Sequence, residues 1–262
     1  KIKAISFTGG TSTGATIASI AAPMFKKLSL ELGGKNPNII FDDCDFDKMI
    51  AGVARSSFAN QGQICLCGSR IYVQKSIYDK FLKAFVNRVE QLTIGNPFDE
   101  KTQMGALVSK AHQEKVLSYI ELAKQEGGQI ESGGKALTIK GFEKGFYVQP
   151  TVISGLKTTC RTNQEEIFGP VVSVIPFENQ DDALAQANDS AYGLSAVVWT
   201  NSLNGAHQMA DQLDVGIVWV NTWLLRDLRT PFGGTKSSGV GREGGFEALH
   251  FFTEEKNICI QT

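Results

Sequence analysis

The chain has 262 residues, 42% of them apolar and 20% charged, which is enough to pack a core in one large or two small domains and argues against a disordered chain. Its 26 basic and 27 acidic side chains leave a net charge of −1, so bulk electrostatics give no case for nucleic acid or an anionic membrane as partner. No apolar run is long enough to span a bilayer, and no secretory signal is visible.

In chain order, strand-like and helix-like runs alternate. Ile2–Phe7 reads as a short strand, followed by a Gly/Ser/Thr turn and a helix over Ala15–Ala22 that Pro23 stops. Leu28–Leu32 and Asn38–Phe41 read as strands, and Asp45–Asn60 as a helix whose acidic start suits a positive helix N-terminus. Arg70–Gln74 is a strand. Ser76–Leu92 is an amphipathic helix in which Ile77, Phe81, Phe85 and Val89 recur every four residues, backed by Leu82 and Val86. Ser109–Glu126 repeats the pattern, with Gly127 placed to end it. Val171–Phe177, Ala196–Thr200 and Gly216–Asn221 are nearly all apolar and read as strands buried on both faces. Gln180–Asn188 and Leu203–Leu213 read as the helices between them. The alternation predicts an α/β fold with a largely parallel sheet. Looser stretches are Gly95–Ser109, Gly133–Gly145 and Leu224–Gly245.

The five cysteines, Cys44, Cys65, Cys67, Cys160 and Cys259, are an odd, scattered set. They do not read as a disulfide framework, so a reducing, cytoplasmic compartment is expected. Cys65-x-Cys67 lacks the spacing of a zinc or redox pair, and His112, His207 and His250 lie far off, which argues against a metal site.

Three short runs carry chemistry. In Asn60-Gln61-Gly62-Gln63-Ile64-Cys65 a cysteine closes a polar, glycine-containing turn. A thiolate is a strong nucleophile if its pKa is lowered, and the backbone N–H beside it can hold an oxyanion; a small buried hydrophobe is the bland alternative. In Leu30-Glu31-Leu32-Gly33-Gly34-Lys35 an acid sits among apolar residues and glycines. Partial desolvation would raise its pKa toward that of a general base, against the alternative of a solvated strand end. Gly9-Gly10-Thr11-Ser12-Thr13-Gly14 follows a strand and opens a helix, a geometry that can present N–H groups to a pyrophosphate, although it is not the full dinucleotide fingerprint.

With Glu165-Glu166-Ile167-Phe168-Gly169-Pro170 and Pro231-Phe232-Gly233-Gly234 downstream, the order and spacing of these motifs resemble the NAD(P)-dependent aldehyde dehydrogenases over essentially the whole chain. The resemblance implies Cys65 as nucleophile and Glu31 as the base that activates water. It implies NAD as cofactor, with NADP as the alternative, contacted by Gly9, Gly10, Gly14, Glu166 and Phe168. It further implies a division into the end of a Rossmann-like cofactor domain (1–31), a catalytic domain (32–236), a return segment (237–252) and an oligomerisation strand (253–262). A homodimer or homotetramer is the implied assembly.

Intact members of that family are nearly twice this length, so the chain resembles their C-terminal half. Their oxyanion-hole Asn and the residues holding the adenosine ribose lie upstream of Lys1. In the family, the loop from Asn221 to Gly234 lines the substrate funnel. Two arginines in it, Arg226 and Arg229, resemble the 2-aminomuconic and 2-hydroxymuconic semialdehyde dehydrogenases. An arginine fork suits an aldehyde that carries a carboxylate at its other end, with Arg226 the first choice of contact, Arg229 the second and Asn221 beside them, against the alternative of a surface arginine paired with Asp227. The alternatives are a relative acting on uncharged aldehydes including retinal, and a non-catalytic chain with a binding or assembly role.

Overall fold

The computed structural model describes residues 2–262; Lys1, the first residue of the 1–31 segment, lies outside them. The chain runs β1 (Ala4–Thr8), α1 (Thr11–Ala21), β2 (Lys27–Glu31), β3 (Asn36–Ile40), α2 (Phe46–Phe58), β4 (Gly68–Gln74), α3 (Tyr78–Glu90) and α4 (Lys110–Gln125). It continues through β5 (Gln129–Ser132), β6 (Ala136–Leu137), β7 (Tyr147–Val148), β8 (Thr151–Ser154), α5 (Arg161–Gln164), β9 (Val171–Phe177), α6 (Gln180–Asn188) and β10 (Tyr192–Gly193). The last elements are β11 (Ser195–Trp199), α7 (Leu203–Gln212), β12 (Ile217–Val220), β13 (Thr235–Lys236), β14 (Gly239–Val240) and α8 (Gly245–Phe252).

The main sheet has seven strands in the order β12-β11-β3-β4-β9-β8-β5. All its pairs are parallel except β5 with β8. Ile39, Ile40, Ile71, Val73, Val174 and Val198 on its central strands are buried completely, as continuous β-branched runs require when helices cover both faces. β12 departs from that expectation. It is the sheet edge, and Val220 is 36% exposed, because an edge strand has a neighbour on one side only. A separate three-stranded sheet joins β1 and β2 in parallel and adds β14 antiparallel to β2.

Local chemistry sets the helix starts. Asp45, Ser109, Asn179 and Ser202 each accept a first-turn N–H through the side chain. Gly127, at φ 91°, ends α4 as expected. In α3, Phe81, Phe85 and Val89 point inward and are fully buried. Among the described residues no helix is long and apolar enough to cross a membrane.

A buried cation ties the layers together. Arg70 of β4 is 1% exposed and donates to the carbonyls of Lys35 (2.8 Å), Ala187 (2.8 Å) and Gln186 (3.2 Å) and to the Tyr72 hydroxyl (2.9 Å). Two of those carbonyls are orphan acceptors in the last turn of α6. The third fixes the segment that leads into β3.

Candidate active site

Three of the motif runs are far apart in sequence, yet each directly precedes a strand: Glu31–Lys35 before β3, Ile64–Cys67 before β4 and Glu165–Pro170 before β9. Those strands are neighbours in the sheet, so the runs meet at its N-terminal edge. This is the reverse of the usual placement of ligands beyond the carboxyl ends of open α/β sheets. There they line a cleft of about 520 Å³, to which Gly9, Gly10, Glu31, Cys65, Glu166 and Phe168 all contribute.

Cys65 is presented by an unusual backbone. Asn60, Gln61 and Gly62 are all left-handed, at φ 48°, 59° and 71°. A Cβ on Gly62 would lie 2.2 Å from the Gly169 carbonyl oxygen, so only glycine fits. Beyond the cysteine, Trp223 Nε1 donates to the Leu66 carbonyl at 3.0 Å. Asn36, at the start of β3, donates through Nδ2 to the carbonyls of Cys65 (2.7 Å) and Cys67 (2.9 Å) and accepts from Ser195 N–H (3.0 Å). The side chain of Asn36 thus pins the Cys65 loop to two strands of the sheet. Asparagine is depleted in strands, and that oddity was the one sequence signal for a role that motif reading missed.

The Cys65 thiol does not have the lowered pKa that a nucleophile on its own would need. Burial pushes it up, and the carboxylates of Glu31 and Glu166 push it further, outweighing the backbone N–H groups of Cys65 and Leu66 that stabilise the thiolate. Cys67 is buried deeper and its thiol is pushed up to about 12, chiefly by desolvation. Sγ of Cys67 contacts the Ala59 carbonyl at 3.6 Å. The thiolate at Cys65 therefore depends on a nearby base.

Glu31 supplies one. It closes β2, is 4% exposed, and its Oε1 has no hydrogen-bond partner among the described residues. Burial raises its pKa to about 7; Glu243 adds to the rise, while Arg242 and Arg226 oppose it. Gly233 packs against it so closely that a Cβ there would sit 2.8 Å from Oε1, which accounts for a glycine in the Pro231–Gly234 run. The expectation of a desolvated, near-neutral carboxylate is met. Its charged neighbours Arg242 and Glu243 had no visible signature in the sequence. Lys35 is also buried, and desolvation, with Arg70 beside it, lowers its ammonium to about 7.

The two adjacent acids before β9 separate cleanly. Glu165 turns outward to Arg161 (Nε, 2.6 Å) and the Tyr119 hydroxyl (2.5 Å). Glu166 turns into the cleft, where burial raises its pKa and Gly34 N–H donates to its Oε1 at 2.9 Å. Phe168 is left-handed at φ 60°, and its carbonyl meets His112 Nε2 at 2.6 Å. His112 and Lys115, both on α4, line the same cleft and were not anticipated. Gly10, which also lines the cleft, is the N-cap of α1 without a side-chain cap bond, so the first-turn N–H groups remain available to an anion.

Four sequence readings are corrected. Gly14 does not line the cleft; it is buried where a Cβ would lie 2.4 Å from Leu32 Cδ2, so its role is close helix packing. Asn221 is spent on structure. Its Nδ2 donates to the Thr200 carbonyl (2.7 Å) and its Oδ1 accepts Thr200 N–H (3.0 Å), at the far edge of the sheet from Cys65. Its left-handed φ of 54° is one that asparagine tolerates. Arg229 is occupied by Asp227, with Nε at 2.9 Å, and its side chain is 88% exposed. Arg226 by contrast makes no ion pair among the described residues; its guanidinium lies 4.0 Å from the centroid of the Phe232 ring. The fourth correction is the Cys65 pKa described above.

Asn36 yields a direct test. Asn36→Ala leaves two carbonyls and one N–H of the loop without a partner, at about 1–3 kcal/mol each. Urea unfolding should show a loss of about 3 kcal/mol or more, together with slower turnover. A loss below about 0.5 kcal/mol, the range of an ordinary surface change, would mean that Asn36 pins nothing.

The sequence matches the Aldehyde dehydrogenase family over residues 1–258. It is 49% identical over 262 residues to a 2-aminomuconic 6-semialdehyde dehydrogenase of Pseudomonas sp, covering 99% of this chain and 53% of that protein. Against the 2-aminomuconic semialdehyde dehydrogenase of Homo sapiens it is 48% identical over 264 residues, covering 100% and 54%. Among solved structures it is similar to betaine aldehyde dehydrogenase from Staphylococcus aureus in complex with NAD+, with TM-score 0.92 and 44% identity over 94% of this chain and 49% of that one. The chain thus spans about half the length of the curated relatives it matches.

Proposed function

The chain belongs to the aldehyde dehydrogenase family, and from that premise we propose that it carries out the thiol and hydrolytic chemistry of NAD(P)+-dependent oxidation of an aldehyde to a carboxylic acid. The observation that carries this reading is the convergence of Cys65, Glu31 and Glu166 on one cleft. Glu31 takes the proton of the Cys65 thiol. That transfer also removes the carboxylate charge that raised the thiol pKa. The sulfur attacks the aldehyde carbon, and the oxyanion forms beside Cys65 N–H. The dinucleotide, when bound, supplies the acceptor for the substrate hydride. Glu31 passes the thiol proton to solvent, and the acyl group left on Cys65 as a thioester is then hydrolysed, with the freed Glu31 carboxylate accepting a proton from the attacking water and the Cys65 thiolate leaving.

The residues present fit such a cofactor. The uncapped N-terminus of α1 at Gly10 suits a pyrophosphate, and Glu166 offers a buried acceptor to a ribose diol. Phe168 is 36% exposed beside it, and NAD is the expected form. We read 1–31 and 237–252 as parts of the cofactor domain, 32–236 as the catalytic domain and 253–262 as an oligomerisation strand. Phe252, Ile258 and Ile260 are exposed at that end, and a homodimer or homotetramer would cover them.

For the substrate, we propose a semialdehyde with a distal carboxylate, as the relatives named for 2-aminomuconic semialdehyde act on. Arg226 supports it: it is the arginine of the loop left without an acid, and its field already reaches Glu31. A charge-assisted hydrogen bond contributes about 1.5–3 kcal/mol. Arg226→Ala should therefore lower kcat/KM roughly 10- to 150-fold for a carboxylate-bearing aldehyde and little for an uncharged one of equal length. Equal losses on both would make Arg226 a loop-shaping residue and remove the support for this substrate class.

A further inference from the structure

A second guanidinium shares the situation of Arg226. α2 and α3 both run back from the sheet to its N-terminal edge, and each carries an arginine in its last turn, Arg55 and Arg88. Both line a cleft of about 490 Å³ whose floor includes Phe58, Leu92 and Met104. A cation in the last turn of a helix is favoured by the dipole, which explains each position singly. It does not explain two cations on one cleft whose lining contains no acid. Neither side chain makes a hydrogen bond or an ion pair with any described residue.

Arg55 is linked to the site through the same loop as Arg226. Its guanidinium lies 5.8 Å from the centroid of the Trp223 ring, and that ring is anchored by its Nε1 to the carbonyl of Leu66, next to Cys65. Arg226 lies over Phe232 in the same way. Trp223 and Phe232 pack on one apolar cluster together with Cys65. Each guanidinium carbon lies over an aromatic ring, and among the described residues no partner takes up the N–H fork that would meet a carboxylate.

We propose that Arg55 is a second specificity-determining residue, which together with Arg226 attracts and orients the distal carboxylate of the aldehyde from the Arg55–Arg88 cleft. This rests on the proposed oxidation of a carboxylate-bearing aldehyde and adds a residue from outside the family motifs.

The test compares 6-oxohexanoate with hexanal in the full-length protein, reading the ratio of their kcat/KM values. Arg55→Gln should lower that ratio roughly tenfold, mainly by weakening the apparent affinity for the charged aldehyde rather than its kcat. Arg55→Lys should retain most of the preference. The loss of that apparent affinity with added salt should be shallower in Arg55→Gln than in the wild type, because one attracting charge is gone. Arg88→Gln, lining the same cleft, should shift the ratio in the same direction and keeps the test open if Arg55→Gln folds poorly. A ratio within twofold of wild type in Arg55→Gln, with Arg226→Ala still collapsing it, would overturn this inference and leave the proposed substrate class standing. A wild type with no preference between the two aldehydes would overturn both.

Discussion

Cys65→Ser should reduce aldehyde oxidation by roughly 10⁴-fold or more while leaving the fold intact. The substitution replaces one sulfur by oxygen at a partly buried position held by backbone contacts, and the pinning bonds from Asn36 and Trp223 go to carbonyls that serine retains. Stability should change by no more than about 1 kcal/mol. Chemistry should change far more. The thiol already has its pKa pushed up by burial and by Glu31 and Glu166, and a hydroxyl in the same field is harder still to deprotonate. In the wild type Cys65 should also be alkylated by iodoacetamide more readily than Cys67. Cys67 is the internal control, because it is buried and its thiol is pushed up to about 12. Serine-variant turnover within tenfold of wild type, or preferential alkylation of Cys67, would move the nucleophile away from Cys65.

The parts of this site that were legible in sequence are those where one short run fixes both backbone and chemistry. Glu31 among glycines and apolar residues announced its own desolvation, and the continuous apolar runs of β9 and β11 announced a buried parallel sheet. What stayed hidden depends on residues brought together by strand order. The Cys65 thiol is raised by burial and then by Glu31 and Glu166, surroundings that only the strand order assembles, so no local reading could give the sign. Asn221 looked free in a one-dimensional loop, and its partner Thr200 was visible only once the sheet edge had formed; the pairing of a loop arginine with Asp227 was legible as the bland alternative, and the loop turn assigns it to Arg229. The short strands β5 to β8 were also missed. They are two to four residues long, interrupted by Gly133 and Gly134 at positive φ, and no period can be read over so few residues.

Glu31→Gln separates the two half-reactions. If Glu31 takes the proton from the hydrolytic water, its loss should slow thioester hydrolysis by roughly 10²- to 10⁴-fold. A burst of reduced cofactor followed by a stalled steady state should then appear, provided thiol deprotonation is less impaired. Equal falls in burst and steady state would show that Glu31 acts mainly on the thiol or on position. The wild-type steady-state rate should rise with pH through about 7, since the base works when unprotonated and its folded pKa is about 7, and the residual rate of Glu31→Gln should lose that inflection. Stability should move the opposite way. A carboxyl with a folded pKa raised from 4.5 to about 7 has no effect below the lower value, where both states are protonated. Between the two values the unfolded state ionises while the folded state resists, and above about 7 the full penalty is in place. Relative to wild type, Glu31→Gln should therefore gain stability progressively from about pH 4.5 to 7, by at most on the order of 3 kcal/mol. Taking the difference between the two proteins cancels the opposing titration of Lys35, which is common to both. Thermal or urea unfolding at pH 5 and pH 8 measures it. A variant no more stable than wild type at pH 8 would mean that Glu31 is not held in the desolvated state from which its role as a base is derived.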